Sequence, residues 1–97
     1  MITHVVLFKL KDRSSQSIEK AKDMLLGLKS KIPLLRYLEV GIDVLHSERS
    51  YDIALITKFD SMDDLQAYQV HPVHLEVAKY ITAVRESAIA VDFQGQV

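Results

Sequence analysis

The chain has 97 residues and a formal net charge of −1, twelve Lys and Arg against thirteen Asp and Glu. That length accommodates one domain, read over residues 1–97, and the charge balance excludes the broad basic surface on which nucleic-acid binding depends. The lack of cysteine excludes disulfides, thiolate nucleophiles and Cys-based zinc sites, and the longest apolar run, Met24 to Leu28, is far short of the roughly 20 residues of a membrane span.

Met1 to His4 carries no basic leader and runs directly into a strand pattern, so a cytoplasmic protein without membrane or nucleic-acid partners is expected. Residues 1–10 alternate: Ile2, His4, Val6, Phe8 and Leu10 share one side, Thr3, Val5, Leu7 and Lys9 the other. A helix is predicted from Ser15 or Ser17 to about Lys31, with Ile18, Ala21, Met24, Leu25, Leu28 and Ile32 as its apolar stripe and Pro33 as its stop. Residues 37–46 read as a second strand in which Gly41 marks a bulge or a close approach. A four-residue turn, Ser47 to Ser50, leads to a third strand over 51–59 and implies an antiparallel hairpin. Ser61 opens a short helix ending near Val70; Pro72 opens another that runs to about Arg85. A last strand spans Ser87 to Phe93, with Ile89, Val91 and Phe93 on one side.

Strand, helix, strand, strand, helix pair, strand is the order of an α+β, ferredoxin-like split βαβ protomer: a four-stranded antiparallel sheet with helices on one face. The other face should then be polar in a monomer. Val5, Leu7, Ala54 and Ile56 make it apolar instead. A second copy packed sheet to sheet about a two-fold axis hides that surface, so a homodimer with a barrel-like core is expected.

The residues able to carry chemistry gather in Tyr68-Gln69-Val70-His71-Pro72-Val73-His74. With Pro72 opening a helix, His71 takes the N-cap and His74 the first turn, where the positive helix end lowers an imidazole pKa and suits a general base. Capping by His71 and a buried, hydrogen-bonded His74 satisfy the same spacing without catalysis. His4 would face Tyr68 and His74 if the helices cover its side of the first strand; otherwise it is a core histidine with one partner. His-x-x-His around a proline supplies two zinc ligands at most, with Glu76 a distant third. No Gly-rich nucleotide loop and no nucleophile elbow occur.

These residues resemble the stress-responsive dimeric α/β-barrel (Dabb) domain family over essentially the whole chain. The resemblance rests on Ile2-Thr3-His4-Val5-Val6-Leu7-Phe8-Lys9, Ile32-Pro33, Gly41, Tyr51-Asp52, Phe59-Asp60-Ser61, Tyr68 with His71-Pro72-Val73-His74, and Val91-Asp92-Phe93. It implies a ferredoxin-like homodimer without a cofactor and with a small-ligand pocket between sheet and helices. By similarity to a plant polyketide cyclase of that family, it also implies a cofactor-independent cyclase or lyase-type role for a polar carbonyl ligand. His74 would be the general base, Tyr68 its holder and His4 a pocket partner, with His71, Phe8 and Ile53 lining the substrate. Ile53 stands where the cyclase has a further pocket histidine, which sets this chain apart from that substrate. Some members also carry magnesium on backbone carbonyls, here those of Lys29, Ile32, Leu35 and Leu38. The remaining alternatives are a binding domain of unestablished activity and a structural oligomerisation module.

Overall fold

The computed structural model describes residues 1–95, so residues 96–97 of the expected 1–97 domain lie outside it. β1 (Ile2–Leu10) is followed by α1 (Ser15–Leu26), β2 (Tyr37–Ile42), β3 (Ile53–Phe59), α2 (Met62–Gln69), α3 (Pro72–Val84) and β4 (Arg85–Gln94). The strands form one sheet in the order β2-β3-β1-β4, and every neighbouring pair is antiparallel. The ferredoxin-like topology expected from the element order is therefore present. No helix among the described residues is long and apolar enough to cross a membrane.

β1 is central and sets the two faces. Its register matches His4 with Thr57 on β3 and with Asp92 on β4, so these side chains share the helix-covered face. Ile2, Phe8 and Leu10 join Leu38, Ile53, Leu55 and Phe59 there, and the helices close over them with Ile18, Leu25, Leu65, Val77 and Ile81. On the opposite face Val5 and Leu7 meet Ile56 and Ala54 from β3, and Val91 and Ile89 from β4. No element covers them: Ile89, Val91 and Phe93 are 52%, 56% and 47% exposed, values that core side chains never show.

Several boundaries differ from the sequence expectation. α1 is capped by Ser14, whose hydroxyl accepts from the Ser17 amide, and it ends at Leu26, not near Lys31. Gly27 breaks the α-helical ladder, and the chain tightens into three-residue turns in which the Leu28, Lys29 and Lys31 amides donate to the Leu25, Leu26 and Leu28 carbonyls. Leu28 and Ile32 still reach the core from this looser segment. β2 stops at Ile42, four residues early. The Asp43 carboxylate accepts the His46 amide at 2.6 Å, and His46 adopts a positive φ of 57°, so a side chain takes over from the ladder. Val44 is consequently 90% exposed, not part of a strand face. The β2–β3 register runs unbroken through Gly41, with nothing within 4 Å of where a Cβ would stand. Gly41 thus makes neither a bulge nor a close approach within the protomer.

The loop between β2 and β3 is anchored by Asp52, which is 1% exposed. Its carboxylate accepts from the Leu10 amide at 2.8 Å and from the Arg13 Nε at 2.9 Å. Arg13 also donates to the Ser47 and Ser50 carbonyls, so one buried carboxylate ties the end of β1 to the loop. Removing it leaves a guanidinium and an amide without their acceptor. Asp52→Ala is expected to lower unfolding free energy by about 3 kcal/mol, read from urea denaturation at neutral pH; a change below about 0.5 kcal/mol would contradict the anchoring role.

Candidate functional site

A cleft of about 230 Å³ lies between the inner face of the sheet and the helices. Its floor is apolar: Val6 and Phe8 from β1, Leu55 from β3, Leu25 and Leu28 from and just after α1, and Val77 and Ile81 from α3. The polar side chains on its wall are His4, Tyr68, Gln69, His74, Thr82 and Arg85. Ala88 of β4, partly exposed, marks the side on which the sheet runs past the helices.

The local chemistry of α2 and α3 delivers Tyr68 and His74 to this cleft. Ser61 caps α2 by accepting from the Asp64 amide at 3.1 Å, which turns Leu65 and Tyr68 inward. His71 caps α3: its Nδ1 accepts from the Val73 amide at 3.1 Å, and Pro72 fills the first turn, where no amide is needed. His74 then reaches back, with its Nδ1 3.0 Å from the Gln69 carbonyl. A carbonyl only accepts, so Nδ1 carries the proton and Nε2 is the free, basic nitrogen. Burial pushes the His74 pKa below its ordinary value; the Gln69 carbonyl opposes this, and His4 and His71 reinforce it. His74 is therefore neutral at pH 7 and fit to accept a proton.

Tyr68 is fully buried, its ring 4.8 Å from that of Phe59 and 4.5 Å from that of His74. Burial pushes its phenol pKa up to about 12. The hydroxyl stays protonated, yet it has no hydrogen-bond partner among the described residues. A buried donor without an acceptor is costly to the fold.

His4, 8% exposed, holds its Nδ1 against the Asp92 carboxylate. An ionised carboxylate only accepts, which again fixes the proton on Nδ1 and leaves Nε2 free. Asp92, the partner of His4, is the neighbour of the site that the sequence reading did not single out. Its alternation with Ala88 and Ala90 was visible, but its pairing with His4 depends on the β1–β4 register.

Of the expected site residues, the structure brings together His4, Tyr68, His74 and Phe8. It does not bring in His71, whose imidazole is occupied as a cap, or Ile53, which is 2% exposed in the core opposite Phe8 and Ile42 and does not line this cleft. Lys29, Ile32, Leu35 and Leu38, the expected magnesium carbonyls, lie in and just after the α1–β2 connection. The Ile32 carbonyl already accepts from the Leu35 amide at 3.2 Å and keeps one lone pair for a cation. The set is all hard oxygen, of a kind magnesium accepts, but it includes no carboxylate to hold the ion tightly. Among the described residues no group of three or more His, Asp or Glu is placed to hold a metal.

Comparison with known proteins agrees with this architecture. The profile of the stress-responsive A/B barrel domain (Dabb) matches residues 2–94. A stress-response A/B barrel domain-containing protein of Arabidopsis thaliana is 32% identical over 98 residues, covering 96% of this chain and 46% of the relative. The chain thus spans less than half the length of that relative, and 36% of a second from the same plant, 30% identical over 97 residues. Among solved structures, a dimeric protein of unknown function with a ferredoxin-like fold from Bacteroides fragilis superposes with a TM-score of 0.83 at 32% identity, covering 97% of this chain and 95% of its own. A hydroxynitrile lyase from Passiflora edulis shares the fold, with a TM-score of 0.82 at 20% identity over 95% of this chain and 90% of its own.

The unpartnered Tyr68 hydroxyl yields a prediction that opposes stability to function. Tyr68→Phe removes a buried donor that lacks an acceptor, so unfolding free energy in urea should stay constant or rise by about 1 kcal/mol. A loss of more than about 1 kcal/mol would show that the hydroxyl has a structural partner in the folded chain.

Proposed function

The chain belongs to the stress-responsive A/B barrel domain family, and we propose that it acts as a homodimer in which each protomer binds a small carbonyl compound and His74 removes a proton next to the carbonyl. The observation that carries this reading is the convergence of His4, Tyr68 and His74 on one cleft, with the Tyr68 hydroxyl unpartnered.

The chemistry needs a base, an oxyanion donor and an apolar enclosure. Neutral His74 takes the proton on Nε2 as the C–H bond breaks, and the electron pair moves to the carbonyl oxygen. The imidazolium that forms donates its Nδ1 proton to the Gln69 carbonyl. The Tyr68 hydroxyl, protonated because its pKa is pushed up to about 12, donates to the developing enolate oxygen. His4, oriented by Asp92, offers a second Nε2 to a polar group of the ligand. The step is redox-neutral and needs no cofactor. The carbonyls of Lys29, Ile32, Leu35 and Leu38 would hold a magnesium ion, were one bound, and it would supply a cross-link within the α1–β2 connection.

Proton transfer is tested by deuterium exchange at the carbons flanking the 2-octanone carbonyl, followed by NMR in heavy water. The wild-type chain should accelerate exchange above buffer, and His74→Gln should remove at least ten-fold of that acceleration with unchanged melting. His74 works as a base only when neutral. Its pKa is lowered, so the rate should fall as pH drops through a value below 6.5 and stay flat above it. Equal rates in the two proteins would end the base assignment.

The dimer is supported by the bare apolar face and by relatives that are described as dimeric. Val5 and Leu7 lie at its centre, between β3 and β4. The double variant Val5→Asp, Leu7→Asp should sediment as an 11.0 kDa monomer where the wild type sediments at twice that mass. A variant that keeps the wild-type mass would place the interface elsewhere.

A further inference from the structure

The polar wall of the cleft contains no carboxylate and one fixed charge, Arg85. Arg13 and Arg36 are each paired with an aspartate, whereas no ion pair among the described residues includes Arg85. Its side chain is partly buried against the cleft, where an unneutralised guanidinium favours an anion.

Arg85 also stands far from the imidazoles. It pairs with Leu10 on β1, whereas Asp92 pairs with His4. Six residues of strand separate these backbone positions, about 20 Å at ~3.3 Å per residue, and because the side chains of Arg85 and His4 line the same cleft, the span left for a ligand is much shorter. Between them the wall is apolar, formed by Phe8, Leu25, Leu28, Val77 and Ile81. The volume, about 230 Å³, holds roughly eight groups of water size at ~30 Å³ each. The lining sets a cationic end and an imidazole end on either side of an apolar stretch, an order of groups that suits an extended chain with an acid at one end.

We infer that the cleft selects an elongated monoanion, a medium-chain oxo acid whose carboxylate binds Arg85, whose methylenes lie along the apolar wall and whose carbonyl sits between His74 and Tyr68. One guanidinium neutralises one charge, and its planar fork matches a carboxylate in two parallel hydrogen bonds. The inference rests on the carbonyl-binding reading of the cleft and adds the anion anchor and the chain length.

The test is isothermal titration of the full chain with 7-oxooctanoate and with 2-octanone, which lacks the acid group. The wild type should bind the acid at least ten-fold more tightly than the ketone. In Arg85→Met that preference should shrink to within two-fold, and Arg85→Lys should restore part of it. Equal affinities in the wild type, or a preference that survives Arg85→Met, would overturn the anchor while leaving ketone binding as support for the cleft. Failure of both compounds to bind at millimolar concentration would overturn the anchor and the carbonyl-binding reading together. The wild-type comparison decides the matter by itself if Arg85→Met does not fold.

Discussion

The register of β1 between its two neighbours is the constraint on which the remaining structure depends. β1 pairs with β3 and β4 along its length, so each of its side chains is committed to one face by two ladders at once. A slip of one residue would turn His4 outward and bury Val5 under the helices. The irregularity that does occur lies at Lys9 and Leu10, at the Arg85 end of the cleft and away from the imidazoles, where Glu86 is left between the partners Ser87 and Arg85. The bulge accommodates the passage from α3 into β4 without disturbing the pairing of His4 with Asp92.

The cleft departs from ordinary core packing in a consistent direction. Its floor is aliphatic and aromatic, yet two imidazoles and a phenol project among these groups. Each imidazole has its Nδ1 held by an oxygen acceptor, Gln69 for His74 and Asp92 for His4. Tautomer and ring orientation are thereby set before any ligand arrives, the preorganisation that electrostatic catalysis requires. Tyr68 completes the arrangement with a hydroxyl that desolvation has deprived of water and the fold has not paired. A phenylalanine there would fill the same space without the cost of a buried, unpaired hydroxyl.

Much of this was legible in the sequence where the signal was local. Alternation in residues 2–10 assigned the two faces of β1, and Ser61, His71 and Pro72 marked the helix starts because capping chemistry acts within three residues. His4, Tyr68 and His74 could be grouped once the helices were placed on one side of the sheet. Strand ends were less visible. Val44 and Leu45 extend the apolar pattern of β2, and only the Asp43 carboxylate turning back on the His46 amide ends the strand. Asp92 and Asp52 were hidden for a different reason. Each acts on a residue far away in the chain, His4 across 88 positions and Leu10 across 42, and such pairings follow from sheet register, not from periodicity. Ile53 shows the converse: the family resemblance implied a cleft wall, but it is buried in the core beside Phe8 and Ile42 and does not line the cleft.

The bare face and the cleft lie on the two sides of one sheet, which couples association to the cleft without any shared residue. Val5 and Leu7 alternate with His4, Val6 and Phe8, so the backbone that carries the cleft floor also carries the surface that awaits a partner. β4 is one of the two edge strands and supplies both Asp92 on one side and Ile89, Val91 and Phe93 on the other. In a lone protomer this strand has a neighbour on one side only, and its outward aromatic and β-branched side chains face water. Covering them would restrain the strand and, through it, the carboxylate that orients His4. A domain of this size has little core to spare for rigidity, since the ratio of surface to volume rises as chains shorten. Association through the open face supplies the missing burial and leaves the helix-covered side free to keep a cleft.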